Sequence, residues 1–150
     1  MATVINFYGS RDPYFEFSNF ARYRVTLDGK TWPTSEHYFQ AQKFLDEALQ
    51  EKVRLAKAPR IAADMGRDRS NPLRPDWESV KDDVMRKVVR AKFSQHEDLK
   101  KLLLDTCDAE IVEHTSNDSY WGDGGDGSGR NMLGRILMEV RKELGATVPG

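Results

Sequence analysis

An acid, an amide and an amine fall at helical spacing in the stretch Thr34-Ser35-Glu36-His37-Tyr38-Phe39-Gln40-Ala41-Gln42-Lys43-Phe44. On a 3.6-residue repeat, Glu36, Gln40 and Lys43 occupy i, i+4 and i+7, one stripe of a helix. At about 1.5 Å per residue, Glu36 and Lys43 stand roughly 10 Å apart along the axis, too far for an ion pair and suited to flanking a sugar-sized ligand. A carboxylate can move protons. A lysine partly desolvated among Tyr38, Phe39 and Phe44 can lose its own proton and attack an electrophilic carbon. The same spacing also describes a solvated helix face, so it needs support from elsewhere in the chain.

A second unusual stretch runs from Asn117 to Asn131, with glycines at 122, 124, 125, 127 and 129. Glycine lets a backbone approach a ligand closely, and this loop leads into a helix N-terminus, where free amides favour an anion. It has neither the Gly-Lys-Ser/Thr of a nucleotide-binding loop nor the register of a dinucleotide fingerprint, and a flexible connector fits it equally well. Asp118 and Trp121 stand at its start and can wall a site for a flat base or a ribose. Trp121 can equally anchor the loop to the core. Arg67, Arg69 and Arg74 lie in one loop and can clamp a phosphate, or pair with Asp64, Asp68 and Asp76. His37, His96 and His114 show no metal-ligand spacing, and no metal is assigned.

These residues need positioning elements. Thr3 to Tyr8 reads as a strand, and Tyr14 to Phe20 as an aromatic irregular segment or short strand. Arg22 to Leu27 alternates, turns at Asp28-Gly29 and returns through Lys30-Thr31-Trp32 as a hairpin. Thr34 or Ser35 caps a helix expected from Ser35 to about Ala48, with Leu45 adding apolar surface. Further helices are expected over Asp46 to Ala58 (Val53 and Leu55 inward), Arg60 to Gly66 behind Pro59, Asp76 to Gln95, and His96 to Thr106. Glu110 to His114 reads as a strand and Asn131 to Leu144 as the last helix, closed by Gly145. The sum is an α+β fold, helix-dominated, a single domain over 1–150 with a small antiparallel sheet.

At 150 residues, with 39% apolar and 31% charged residues, the chain can bury a core as one domain. Its net charge of −1 gives no global field for nucleic acid, which leaves only a local basic patch. The single cysteine, Cys107, excludes an intrachain disulfide, reads as packing rather than a nucleophile, and fits a reducing cytoplasm. The start has no signal-peptide pattern, and no run is long enough to cross a bilayer.

Taken together, the chain resembles the NADAR family. The resemblance rests on Phe17-Ser18-Asn19-Phe20, the whole run from Thr34 to Phe44, Gly66-Arg67, Trp77 with Lys81 and Met85, and Lys92-Phe93. It continues through Leu103, Val112-Glu113, Asp118, Trp121-Gly122, Gly127, Gly129-Arg130-Asn131, Leu133-Gly134, Leu137-Met138 and Arg141. The resemblance implies a NADAR-like fold and hydrolysis of an N-glycosidic bond to ribose. The substrate would be a phosphoribosylamino-pyrimidine of the riboflavin pathway or ADP-ribosylated guanine. It directs attention to Glu36, Lys43, Trp77, Asp118 and Trp121.

In both substrates ribose C1 bears an exocyclic amine, and such a sugar can open to an imine that an amine nucleophile intercepts. Lys43 would form a Schiff base, while Glu36 or Asp118 protonates the leaving amine and later activates water. The alternative is direct attack by water between two carboxylates. Asn19, Gln40, Arg67, Arg69, Trp77, Trp121, Gly122, Gly127, Gly129 and Asn131 are the expected substrate-binding residues, with Glu36 and Lys43 facing Asp118 and Trp121. No cofactor is expected. The partner is a small phosphoribosyl or ADP-ribosyl compound, with transient DNA contact open through a rim of Arg60, Arg67, Arg69, Arg74, Arg86, Lys87 and Arg90. A binding module without turnover is the rival reading, and the oligomeric state is left open.

Overall fold

Two left-handed residues in a row, Asp28 (φ 56°) and Gly29 (φ 76°), let the chain reverse in two residues. They join β2 (Val25–Leu27) to β3 (Lys30–Trp32) as the expected antiparallel hairpin. The structure, a computed structural model, describes residues 3–146; Met1 and Ala2, part of the start read above, lie outside the described residues. The class is α+β. Besides the hairpin, the described residues form β1 (Val4–Phe7), β4 (Glu110–Glu113) and six helices: α1 (Ser35–Ala41), α2 (Glu47–Arg54), α3 (Pro59–Arg67), α4 (Trp77–Gln95), α5 (Glu97–Leu104) and α6 (Met132–Ala146). The chain divides into two compact units, Arg22–Lys92 and the paired segments Met1–Ala21 and Phe93–Gly150.

In the unit Arg22–Lys92, α1 packs against α2 and α3. Every residue of α1 is buried. Thr34, in extended conformation, caps it by accepting the His37 amide at 3.2 Å. The His37 ring is locked from both sides. Its Nε2 is 2.9 Å from the Ala56 carbonyl, which can only accept, so Nε2 carries the proton. Nδ1 then accepts from the Thr34 hydroxyl at 2.7 Å. The neutral tautomer closes the network, and burial holds His37 below its ordinary pKa.

The helix expected to reach Ala48 stops at Ala41. Beyond it Lys43 and Phe44 make short-range turns onto Gln40 and Ala41. The carbonyls that a continuing helix would use inward are taken by later residues. Arg74 binds the Gln42 and Lys43 carbonyls through its side chain (3.4 Å) and its amide (2.8 Å), and the Gln50 side chain binds that of Phe44 (2.7 Å). Asp46 then restarts the chain as the cap of α2, accepting from Ala48 and Leu49. Leu45 and Leu55, expected to be apolar cover and core, are exposed, whereas Phe44 and Val53 are fully buried.

In the other unit β1 and β4 pair in parallel, Val4 with Glu110 through Phe7 with Glu113. Sequence patterning suggested one antiparallel sheet; the observed arrangement is two separate two-stranded sheets of opposite sense. The aromatic segment forms a 3-10 turn, Phe15–Phe17, rather than a strand. Phe17 lies edge-on to Phe7 (5.9 Å) and Phe93 (5.7 Å), which builds the core beneath β1. Helix α6 packs on β4, and α5 on α6. Gly134 allows this: a Cβ there would sit 2.1 Å from the Ile111 carbonyl oxygen. Helix α6 runs through Gly145, which does not close it. Cys107, expected to be packing, is exposed and left-handed (φ 57°) in the turn after α5. No helix among the described residues is long and apolar enough to cross a membrane.

Candidate functional site

The unit Arg22–Lys92 gathers Glu36, Gln40, Lys43, Arg67, Arg69 and Trp77 around α1. Glu36 is only 7% exposed, so the solvated-face alternative does not hold. Gln40, one turn further on and also buried, donates from Nε2 to Glu36 Oε2 at 2.7 Å. Its other end, Oε1, has no hydrogen-bond partner. Leaving a buried carbonyl oxygen without a donor costs about 1–3 kcal/mol, so the amide's orientation is set by the carboxylate. Gln40, expected to bind substrate, engages Glu36 through its amide nitrogen.

Lys43 sits in the turn after α1, off the ideal helical stripe. Its Nζ lies 5.8 Å from the Phe39 ring centroid and 5.9 Å from that of Trp77. These two rings meet edge to face at 5.1 Å. Trp77 is the first residue of α4 and 5% exposed, so it serves both as core and as the wall of the lysine's surroundings. Burial lowers Lys43 from its usual value near 10.5 to about 8; the Glu36 charge acts the other way, and Arg69, Arg67 and Lys81 lower it further. Around a tenth of such a lysine is the free amine at neutral pH, against well under a thousandth of an ordinary one. A buried carboxylate and an amine of lowered basicity, under one field, can exchange protons with a substrate and attack a carbon.

The arginines are more committed than the sequence suggested. Arg69 donates to the Gly66 and Arg67 carbonyls and so caps the C-terminus of α3. Arg67 is largely exposed and 3.6 Å from Asp64. Arg74 is paired with Asp76. Two participants were quoted for the family resemblance but given no role from the sequence. Lys81 stands one helical turn beyond Trp77, a spacing that would have revealed it. Gly66 lies against Gln40, and a Cβ there would be 1.8 Å from Gln40 Oε1. Lys92, 1% exposed with Nζ 5.8 Å from the Tyr23 ring, is a further buried cation that patterning passed over.

In the other unit the expected site residues mainly hold the loop together. Asp118 Oδ1 accepts the amides of Tyr120 and Trp121, both at 2.8 Å. Trp121 is half-buried, edge-on to Tyr120. The amides of Met132 and Leu133, in the first turn of α6, donate to the Tyr120 and Trp121 carbonyls. The anion cradle expected at that helix start therefore loses those two donors to the loop itself.

Asn131 (φ 52°) spends its side chain on β4, accepting from the Glu113 amide (3.0 Å) and donating to the Ile111 carbonyl (2.9 Å). Gly122 and Gly129 are close-approach positions, where a Cβ would come within 2.9 Å of backbone. Asp123, buried, binds His114 and the Thr115 and Gly125 amides. Gly127, Gly129 and Asn131 do line one open cleft of about 420 Å³ with Arg130 and Arg135. Asn19 is buried.

The NADAR domain model matches residues 6–145. The chain is 63% identical over 142 residues to N-glycosidase YbiA of Escherichia coli, covering 95% of this chain and 89% of that one. It is 46% identical over 149 residues to a riboflavin biosynthesis protein of Vibrio vulnificus, covering 99% of this chain and 41% of that longer one. The NMR structure of E. coli YbiA superposes with a TM-score of 0.90 at 61% identity, covering 97% of this chain and 88% of that one.

Proposed function

Because the chain belongs to the NADAR domain family, we propose that it is an N-glycosidase that hydrolyses the bond between ribose C1 and an exocyclic amine in phosphoribosylamino-pyrimidine intermediates, releasing ribose 5-phosphate in the cytoplasm. The glycosidase class is supported by the name of the E. coli relative, and the link to riboflavin biosynthesis by that of the Vibrio one. The observation that carries the chemistry is Lys43, lowered to about 8 between two aromatic rings beside a buried carboxylate.

The opened glycosylamine presents a protonated imine at C1. Neutral Lys43 adds through Nζ, forming a new C–N bond. Ionised Glu36 takes the proton that the Lys43 nitrogen sheds in the adduct and delivers it to the pyrimidine amine, which leaves with the electrons of the old C–N bond. The lysine iminium that remains takes up water, deprotonated by Glu36, and collapses to the free aldehyde sugar and Lys43. Arg67, Arg69 and Lys81 supply positive charge near Lys43 for the 5′-phosphate. Arg67, Arg74, Arg86 and Lys87, four members of the basic rim a DNA substrate would need, each have a carboxylate partner, which favours the small-molecule reading.

The test is a side-by-side incubation with a phosphoribosylamino-pyrimidine and with ADP-ribosylated guanine. Ribose 5-phosphate release from the first, at higher kcat/KM than cleavage of the second, is expected. Cleavage of the second alone would transfer the assignment to ADP-ribose removal, and binding of either without turnover would leave a binding module.

A further inference from the structure

Three observations converge on Gln40. Its amide Nε2 donates to Glu36 Oε2 at 2.7 Å, its Oε1 is buried with no partner, and that oxygen occupies the space a side chain at Gly66 would fill. An amide bound for its own stability would satisfy both ends. This one is oriented by a single demand, the carboxylate, and the bare Cα of Gly66 in α3 is what makes room for it. We propose that Gln40, seated on Gly66, is a positioning residue that holds the Glu36 carboxylate in its reactive place and favours its ionised form. The proposal rests on the reading of Glu36 as the proton-transfer group, but its physical content is testable without turnover.

A carboxylate that loses a neutral donor titrates at higher pH, because the hydrogen bond had favoured the charged form. The other charges near this corner remain in the variants: Lys43 in the turn after α1, Arg67 and Arg69 at the end of α3, and Lys81 on α4. The buried His37 ring on α1 also stays, tied to Thr34 and Ala56.

The experiment follows the Glu36 side-chain carboxyl by 13C NMR, assigned by its absence in Glu36→Gln. The pH–rate profile is measured in parallel on the phosphoribosylamino-pyrimidine. Gln40→Met keeps the volume and removes the donor. It should move the Glu36 titration upward by about one unit and lower kcat about tenfold with KM within twofold, while the acidic limb of kcat stays with Lys43 near 8. Gly66→Ala, whose Cβ must displace the amide, should reproduce the shift, and the double variant should add nothing to it.

An unmoved Glu36 titration in Gln40→Met, folded as judged by Tm, overturns the proposal. A shifted titration with unchanged kcat would uphold the positioning and overturn its catalytic use. Should Glu36→Gln itself turn over normally, the failure would belong to the assignment of Glu36, and the NMR shift would still decide the role of Gln40.

Discussion

Lys43 shows how one side chain's surroundings turn an ordinary residue into a reagent. Its Nζ lies 5.8 Å from the centre of the Phe39 ring and 5.9 Å from that of Trp77, and the loss of hydration outweighs the attraction of Glu36, so its pKa is lowered to about 8. The rate of Lys43 acetylation by a limiting reagent, followed by peptide mass spectrometry, is expected to rise with a midpoint near that pH. Glu36→Gln removes a charge that favours the ammonium, so the midpoint should fall below the wild-type value. A midpoint close to that of an exposed lysine would contradict the burial described. Spacing put Glu36 and Lys43 on one stripe, and the resemblance carried by the Thr34–Phe44 run made them candidates for chemistry. The sequence did not reveal that Gln40 Oε1 lies unpaired against Gly66, because that depends on backbone brought in from α3.

At the scale of elements, the hairpin, α3, α4, α5 and β4 follow the sequence closely, since each has its own punctuation: Asp28-Gly29, Pro59, the apolar repeat from Trp77, and a strand bounded by turns. The length of α1 was not legible. Nothing in residues 42–45 breaks a helix; Arg74, Gln50 and the Asp46 cap do so from outside. Parallel pairing of β1 with β4 was hidden for a similar reason, as the partner strand is separated by about a hundred residues and periodicity carries no information about direction.

The cap of α1 makes its own prediction. Thr34→Ala removes both the cap and the His37 Nδ1 bond and should cost about 2–3 kcal/mol in denaturant unfolding. His37 titrates lower in the folded than in the unfolded state, so the unfolded chain binds more protons between the two values. Stability is therefore complete above the ordinary histidine range and declines as pH falls through about 6.5. Replacing His37 by Asn should flatten that acid limb. An acid limb unchanged in the variant would remove His37 as its cause.

For the molecule as a whole, a net charge of −1 gives no global field toward nucleic acid, and the chain's relatives carry names from glycoside hydrolysis and riboflavin synthesis. Those names and the family match agree with the resemblance read from the Thr34–Phe44 run. The choice between a free phosphoribosyl compound and an ADP-ribosylated base is made by contacts to the leaving group, which no spacing in the sequence encodes. What both substrates share is a C1 that an amine can capture, and the account stands or falls on that capture. The most direct measurement is borohydride reduction during turnover, with the adduct mapped by mass spectrometry. The account predicts one sugar phosphate reduced onto Lys43, absent in Lys43→Arg and absent without substrate. Full hydrolysis by Lys43→Ala with no trapped adduct in the parent protein would contradict it.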